Sequence, residues 1–276
     1  MRRASGFTLI EAVMVIAITG IVAAAVGFFI RKPVDSYFDS MQRAQLTDAA
    51  DLAVRRIARD LHLAVPNSVR VSTSGGVTYL EFLQTKTGGY YRKECSITPC
   101  PVGEDPLDFT AADASFEVLG GFPAAPAPQP ASRDLIVIFN LGVSGADAYN
   151  GDNTAAISSI TTAASSANIT LSAAKKFPFE SPSQHFQVID TPVTYVCNPT
   201  AGTLTRIWGY TITASQATPP AGGNSTLLAD KVSACTITPP ENLPQPGIAL
   251  VAINLKLKQN NEEVAFYHEV HVNNVP

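Results

Sequence analysis

A chain of 276 residues has room for one domain of ordinary size plus a separate helical segment. Only 15% of its residues are charged, the net charge is −4, and no basic run follows residue 32, which argues against nucleic acid as the main partner. The mean hydropathy of +0.12 is raised by the apolar N-terminal stretch.

The first predicted element is a membrane helix. Residues 7–30 carry one charge, Glu11. As a helix they would span roughly 36 Å, enough for a bilayer core with some tilt. Arg2 and Arg3 precede the run and, by the positive-inside rule, hold the N-terminus in the cytoplasm with the bulk of the chain on the far side. The carboxylate is the anomaly. Inside a transmembrane helix it costs roughly 3 kcal/mol and needs a partner. Arg31 and Lys32 stand at the other end, and Arg2 and Arg3 lie beyond Gly6. A cut between Gly6 and Phe7 would create an ammonium four residues from Glu11, placed to compensate the carboxylate of a neighbouring chain. Glu11 near a helix N-terminus also suits the macrodipole. Three other readings compete: an ordinary anchor with Glu11 near an interface, a secretory signal cut near Ala23-Ala24-Ala25, and a buried core helix. Against the second, the apolar run continues through Val26, Phe28, Phe29 and Ile30; against the third stand its length and basic flank.

Gly6-Phe7-Thr8-Leu9-Ile10-Glu11 resembles the processing site of type IV prepilins and type II secretion pseudopilins. The resemblance implies cleavage after Gly6 by a prepilin peptidase, N-methylation of Phe7, and subunit pairing through Glu11.

The helix is expected to continue past the membrane. Leu46, Ala50, Ala53, Val54, Ile57, Leu61 and Ala64 form one apolar stripe, extended backwards by Val34, Phe38 and Met41. The opposite face carries Arg43, Asp48, Asp51, Arg55, Arg56, Arg59 and Asp60. Pro33 predicts a kink or break, and Pro66 an end at residue 65. A half-embedded helix with an apolar outer stripe needs a cover, naturally a sheet from residue 67 onward. The expectation is an α+β, pilin-like fold, its long helix packed on an antiparallel sheet. It divides into a leader at 1–6, a membrane segment at 7–30, an outer helical half at 31–65 and one β-rich periplasmic domain at 66–276.

Within that domain, Val77–Leu83 reads as a strand followed by a Gly88-Gly89 turn, and residues 95–130 read mostly as loop. Leu135–Phe139 is apolar throughout and predicts a central strand covered on both faces. Residues 142–168, rich in Gly, Ser, Ala, Thr and Asn, predict a mobile surface excursion. Strands are expected at 186–189, 193–197, 203–213, 248–258 and 264–272, the last two joined as a hairpin through Asn260-Asn261. Cys95, Cys100, Cys197 and Cys235, an even count beyond the membrane segment, read as two disulfides. Proximity favours Cys95 with Cys100, worth about 2 kcal/mol by loop entropy, and Cys197 with Cys235, worth about 4; the other two pairings stay open.

The stretches 190–197, 202–206 and 228–235, with the ending 268–276, resemble corresponding parts of the minor pilins for biogenesis of the mannose-sensitive haemagglutinin (MSHA) pilus, the MshO branch. J-type pseudopilins and PilW-like minor pilins share this layout. The family pattern offers no match for a Cys95–Cys100 ring.

Catalytic signatures are thin. Ser172-Ala173-Ala174-Lys175 fits S-x-x-K and Lys86-Thr87-Gly88 fits K-T-G, but their order is reversed from the β-lactamase arrangement and S-D-N is missing. His268 and His271, three apart on a predicted strand, face opposite sides and cannot chelate together. Asp147, Asn150 and Asp152, with Asn153 around Gly151, could supply oxygens to calcium, although the spacing is not that of an EF-hand; a solvated turn is the plainer reading. No other cofactor is expected. The sequence therefore predicts a non-enzymatic minor pilin, single-pass in the bacterial inner membrane with its C-terminal domain periplasmic or at a pilus tip. Its expected partners are the prepilin peptidase, other minor pilins, the major pilin, the inner-membrane assembly platform and membrane lipid. The rival is an anchored binding or adhesive module using residues 142–168.

Overall fold

The computed structural model describes residues 6–163, 166–238, 241–242 and 248–276. The leader residues 1–5, with Arg2 and Arg3, lie outside the described residues. A single helix, α1, runs over Leu9–Leu61, about 80 Å. It passes unbroken through Pro33. The missing N–H removes one rung of the ladder, while the turns on either side remain helical.

The helix stops before Pro66 because the next segment is captured by a strand. The amides of Leu63 and Ala64 bond back to Asp60 and Leu61 at 3.1 and 3.0 Å. The Val65 amide then donates to Leu83 O at 2.8 Å, and Ala64 bridges Gln84. Leu46, Ala50, Ala53, Val54, Ile57 and Leu61 are buried along one helical face. The backward extension is not covered: Val34, Phe38 and Met41 are exposed. The cover ends at a hairpin tip, where Asn260 meets Gln42 at 3.1 Å and Glu262 meets Arg43 at 2.8 Å.

The first sheet begins with β1 (Arg70–Ser74) and β2 (Val77–Tyr91), continues through β3 (Asp113–Leu119), β4 (Leu135–Ile138), β5 (Thr154–Thr162) and β6 (Ser166–Lys175), and ends with β7 (His185–Asn198), β8 (Thr203–Trp208) and β9 (Asn224–Asp230). Strands β2 and β7 pair antiparallel along nearly their whole length, with register shifts between Leu83 and Thr87. On one side of those shifts they lie in an open sheet ordered β1-β2-β7-β8-β9. Beyond them the neighbours change. β3 takes the free side of β2, β4 takes the free side of β7, and β3-β6-β5-β4 closes a six-stranded ring. A second sheet holds β10 (Val232–Ile237), β11 (Glu241–Asn242), β12 (Ile248–Gln259) and β13 (Glu262–Asn273), with β12–β13 as the expected hairpin.

Two cores result. Inward positions of the ring strands alternate along each strand and fill it with Phe116, Ile138, Ile157, Ile169, Phe186 and Val188, all fully buried. The apolar stripe of α1, the open part of the first sheet and the inner face of the second sheet enclose the other. The region beyond residue 66 thus has two large hydrophobic centres, both of which draw on β2 and β7.

Two local expectations are corrected. Gly88 and Gly89 are not a turn: they lie inside β2, opposite Gln187 and Phe186. A Cβ at Gly88 would fall 2.7 Å from the Phe186 carbonyl oxygen, so the glycine permits close approach of two strands. Residues 95–130 are mostly loop as expected, though β3 within them supplies Phe116 and Val118 to the ring core. Residues 142–168 are no loose excursion. Ala146, Ala148 and Asn153 are buried, and 154–162 with 166–168 form ring strands. Leu135–Ile138 does lie centrally, with Ile136 and Ile138 in the ring core and Val137 in the small third cluster.

Candidate functional site

The N-terminal end is built around the cap of α1. Thr8 takes an extended conformation (φ −80°, ψ 148°) and its hydroxyl accepts from the Glu11 amide at 3.4 Å. The same hydroxyl donates to Glu11 Oε2 at 3.4 Å. Thr8 at N-cap and Glu11 at N3 therefore make one half of a capping box, the glutamate turning back to the Thr8 hydroxyl rather than to its amide. The sequence carries that signal in a threonine three residues before a glutamate, ahead of an apolar run. Glu11 so has a local role at the helix start besides any role between chains.

Gly6, Phe7 and every residue from Thr8 to Ile30 are exposed; Phe7 stands 77% open. Among the described residues, no part of the β-domain covers this half of the helix. It is long and apolar enough to cross a membrane.

Residues 1–27 match a family model, the prokaryotic N-terminal methylation motif. The match spans the leader, Gly6, Phe7 and Glu11. The motif supports a type IV pilin-like protein, with processing by a prepilin peptidase and assembly with other pilins. With the exposed apolar helix it fits a single-pass membrane anchor. The long helix followed by an antiparallel β-rich domain is the α+β pilin-like layout. No curated protein and no solved structure gives a significant match to the chain.

The outer half of α1 is tied to the domain by a buried charge that the sequence reading assigned to the solvated face. Asp60 is only 3% exposed. Its Oδ2 accepts from Arg206 Nε at 2.8 Å and Tyr195 Oη at 2.7 Å, and its Oδ1 pairs with Arg56 at 3.2 Å. Arg206 also donates to Gln84 at 3.0 Å and lies over the Trp208 ring. Burial, reinforced by the Asp60 carboxylate, pushes the Tyr195 phenol above its ordinary range. The available signal was position: Asp60 sits beside Ile57 and Leu61 at the edge of the apolar stripe.

The cysteines pair as Cys95–Cys100 and Cys197–Cys235, with Cα atoms 5.2 and 6.3 Å apart. The first closes a small exposed ring, and the second joins β7 of the first sheet to β10 of the second. Cys95 and Cys100 approach Glu104, but disulfide sulfurs offer no thiolate to a metal.

The calcium candidates are engaged with their own turn. Asp152 Oδ2 accepts from the amides of Gly145 and Asp147, at 2.9 and 3.2 Å, and Asp147 Oδ1 from that of Tyr149 at 2.9 Å. The Asn150 amide donates to Asp147 O at 3.2 Å, and Asn153 Nδ2 turns inward to Ile138 O at 3.0 Å. The catalytic signatures are not assembled. Ser172 and Lys175 project from opposite faces of β6, Lys175 bonds to Gly151 O at 2.8 Å, and Lys86 pairs with Asp134 at 2.9 Å.

Proposed function

We propose that the chain is a non-catalytic minor pilin of MSHA type, cut after Gly6, N-methylated at Phe7, and assembled with other minor pilins to prime or cap a fibre. The observation that carries this reading is the processing motif at the start of a helix whose first half is apolar, exposed and uncovered by its own domain. Such a surface requires lipid before assembly and other helices after it. Glu11 holds the helix start through Thr8 and, once Phe7 bears a free amine, gives a neighbouring subunit's terminus a carboxylate to meet. The C-terminal domain faces the periplasm, and the peptidase, the major pilin and the assembly platform are its partners. No cofactor takes part.

The N-terminal residue and mass of the mature protein test the reading. Phe7 with an added methyl is expected; protein beginning at Met1 or Val26 overturns it. Glu11→Ala should leave cleavage intact and impair assembly, and normal fibre formation in that variant would count against the pairing role. A second reading, an anchored module that binds a partner without polymerising, draws support from the separate ring core, which leaves one whole end of the molecule free of the helix. Cross-linking in intact cells separates the two, by contacts to other pilins or only to a receptor.

A further inference from the structure

At the end of the ring, beside the Cys95–Cys100 loop, lies a groove of about 790 Å³. Its apolar wall is Pro106, Phe109, Pro178 and Phe179. Phe109 is braced from behind by Tyr91 and Phe177, with ring centroids at 5.5 and 6.5 Å. Phe179 is 50% exposed, and Ile97 on the neighbouring disulfide loop is 66% exposed. An aromatic wall fixed from behind and open in front is a contact surface rather than part of the core.

The rim is acidic: Glu94, Asp105, Asp108, Asp113 and Glu180. What holds these carboxylates matters more than their number. Asp105 accepts from Ser115 Oγ at 2.7 Å and Asn168 Nδ2 at 2.9 Å. Asp108 accepts from the amide and hydroxyl of Thr110 at 2.6 and 2.7 Å, and Asp113 from the Asp108 amide at 2.9 Å. These donors are neutral. They fix the oxygens without cancelling their charge, and the hydroxyl and amide of Thr110 hold the Asp108 carboxyl below its ordinary value. Among the described residues only Glu180 has a lysine at ion-pair distance, Lys93 at 3.0 Å, and Lys176 acts on Asp108 at longer range.

We propose that this groove docks a basic, extended segment of a partner protein, its lysine or arginine stems lying over Phe109 and Phe179 and its cationic heads meeting Asp105, Asp108 and Asp113. Charge complementarity selects the occupant. A bilayer surface and nucleic acid are anionic and are repelled, whereas a long cationic side chain satisfies both wall and rim. The inference does not depend on the pilin reading, because the groove belongs to the ring and not to the helix.

The test is peptide binding to the full chain in detergent micelles, with a short lysine–proline peptide and its glutamate–proline counterpart as probes. The basic peptide should bind, weaken as salt is raised, and lose affinity roughly tenfold with Asp108→Asn and again with Phe179→Ala. Phe179 is exposed, so that variant keeps its fold and its charge. No binding of the basic peptide, equal binding of the acidic one, or unchanged affinity in both variants would overturn the proposal. A free polyamine displacing the peptide at equal affinity would overturn it in favour of a small cation. Self-association abolished by the same variants would overturn it in favour of a second copy, whose Arg55 and Arg59 are exposed.

Discussion

Replacing Asp60 by alanine should be among the most damaging changes to the domain. The carboxylate accepts from Arg206 and Tyr195 and pairs ionically with Arg56. Arg56 keeps 41% of its side chain in solvent and can turn outward when its partner goes. Arg206, with 10%, cannot. Its guanidinium would retain Gln84 and the Trp208 ring but no countercharge. Stranding a buried charge costs about 3–5 kcal/mol. For a domain of this size each kcal/mol lowers Tm by about 2–4 °C, so the expected fall is about 6–20 °C. Trp208, the single tryptophan, sits against Arg206, so its emission in the full chain reports both melting and local loosening. Arg56→Ala should cost less than about 1 kcal/mol by the same assay. The joint exchange Asp60→Leu with Arg206→Met should recover most of the loss, because removing both charges leaves neither stranded. If Asp60→Ala and Arg56→Ala lower Tm equally and by under about 2 °C, the idea that this carboxylate anchors the helix to the sheet is wrong.

Gly88→Ala places a methyl group 2.7 Å from the Phe186 carbonyl oxygen, so it should cost on the order of 1–3 kcal/mol; Gly76→Ala, with space around it but φ at +79°, tests backbone strain alone. Converting Cys197 and Cys235 to serine should lower stability by about 4 kcal/mol, and converting Cys95 and Cys100 by about 2, measured by denaturant titration. In alkali, burial pushes Tyr91 up to about 12 and raises Tyr149, Tyr195 and Tyr210 as well. Raised phenols stabilise the fold fully below their unfolded value near 10, and that contribution is lost as pH climbs through the folded values. Tyrosinate absorbance should therefore show a late group that titrates together with loss of Trp208 emission. All eight tyrosines ionising near pH 10 in the folded chain would refute this.

The helix and its buried stripe from Leu46 to Leu61 were legible because a 3.6-residue period survives in any one-sided helix. The same period misled at Val34, Phe38 and Met41. Apolar spacing says that a face wants cover, not whether this chain reaches far enough to provide it. Asp60 was misread for a related reason: an acid beside the stripe looks solvated until the distant Arg206 is brought to it. The processing motif was legible in full, since its chemistry is local. The ring was not. Its closure depends on which strand neighbours which beyond the shifts in β2 and β7, and no local pattern encodes a change of partner. Gly88-Gly89 has turn composition, yet its meaning lay across the sheet in Phe186.

Because β2 and β7 run without interruption from one hydrophobic centre into the other, the two halves are tied at two places at once. A single tether would let the ring swivel; a pair of hydrogen-bonded ribbons side by side does not. Traction on the helix reaches the far end as sliding stress along that ribbon pair, the direction in which many backbone bonds resist together. The acidic groove is thereby held at a set angle to α1, and whatever seats there inherits the orientation of the shaft.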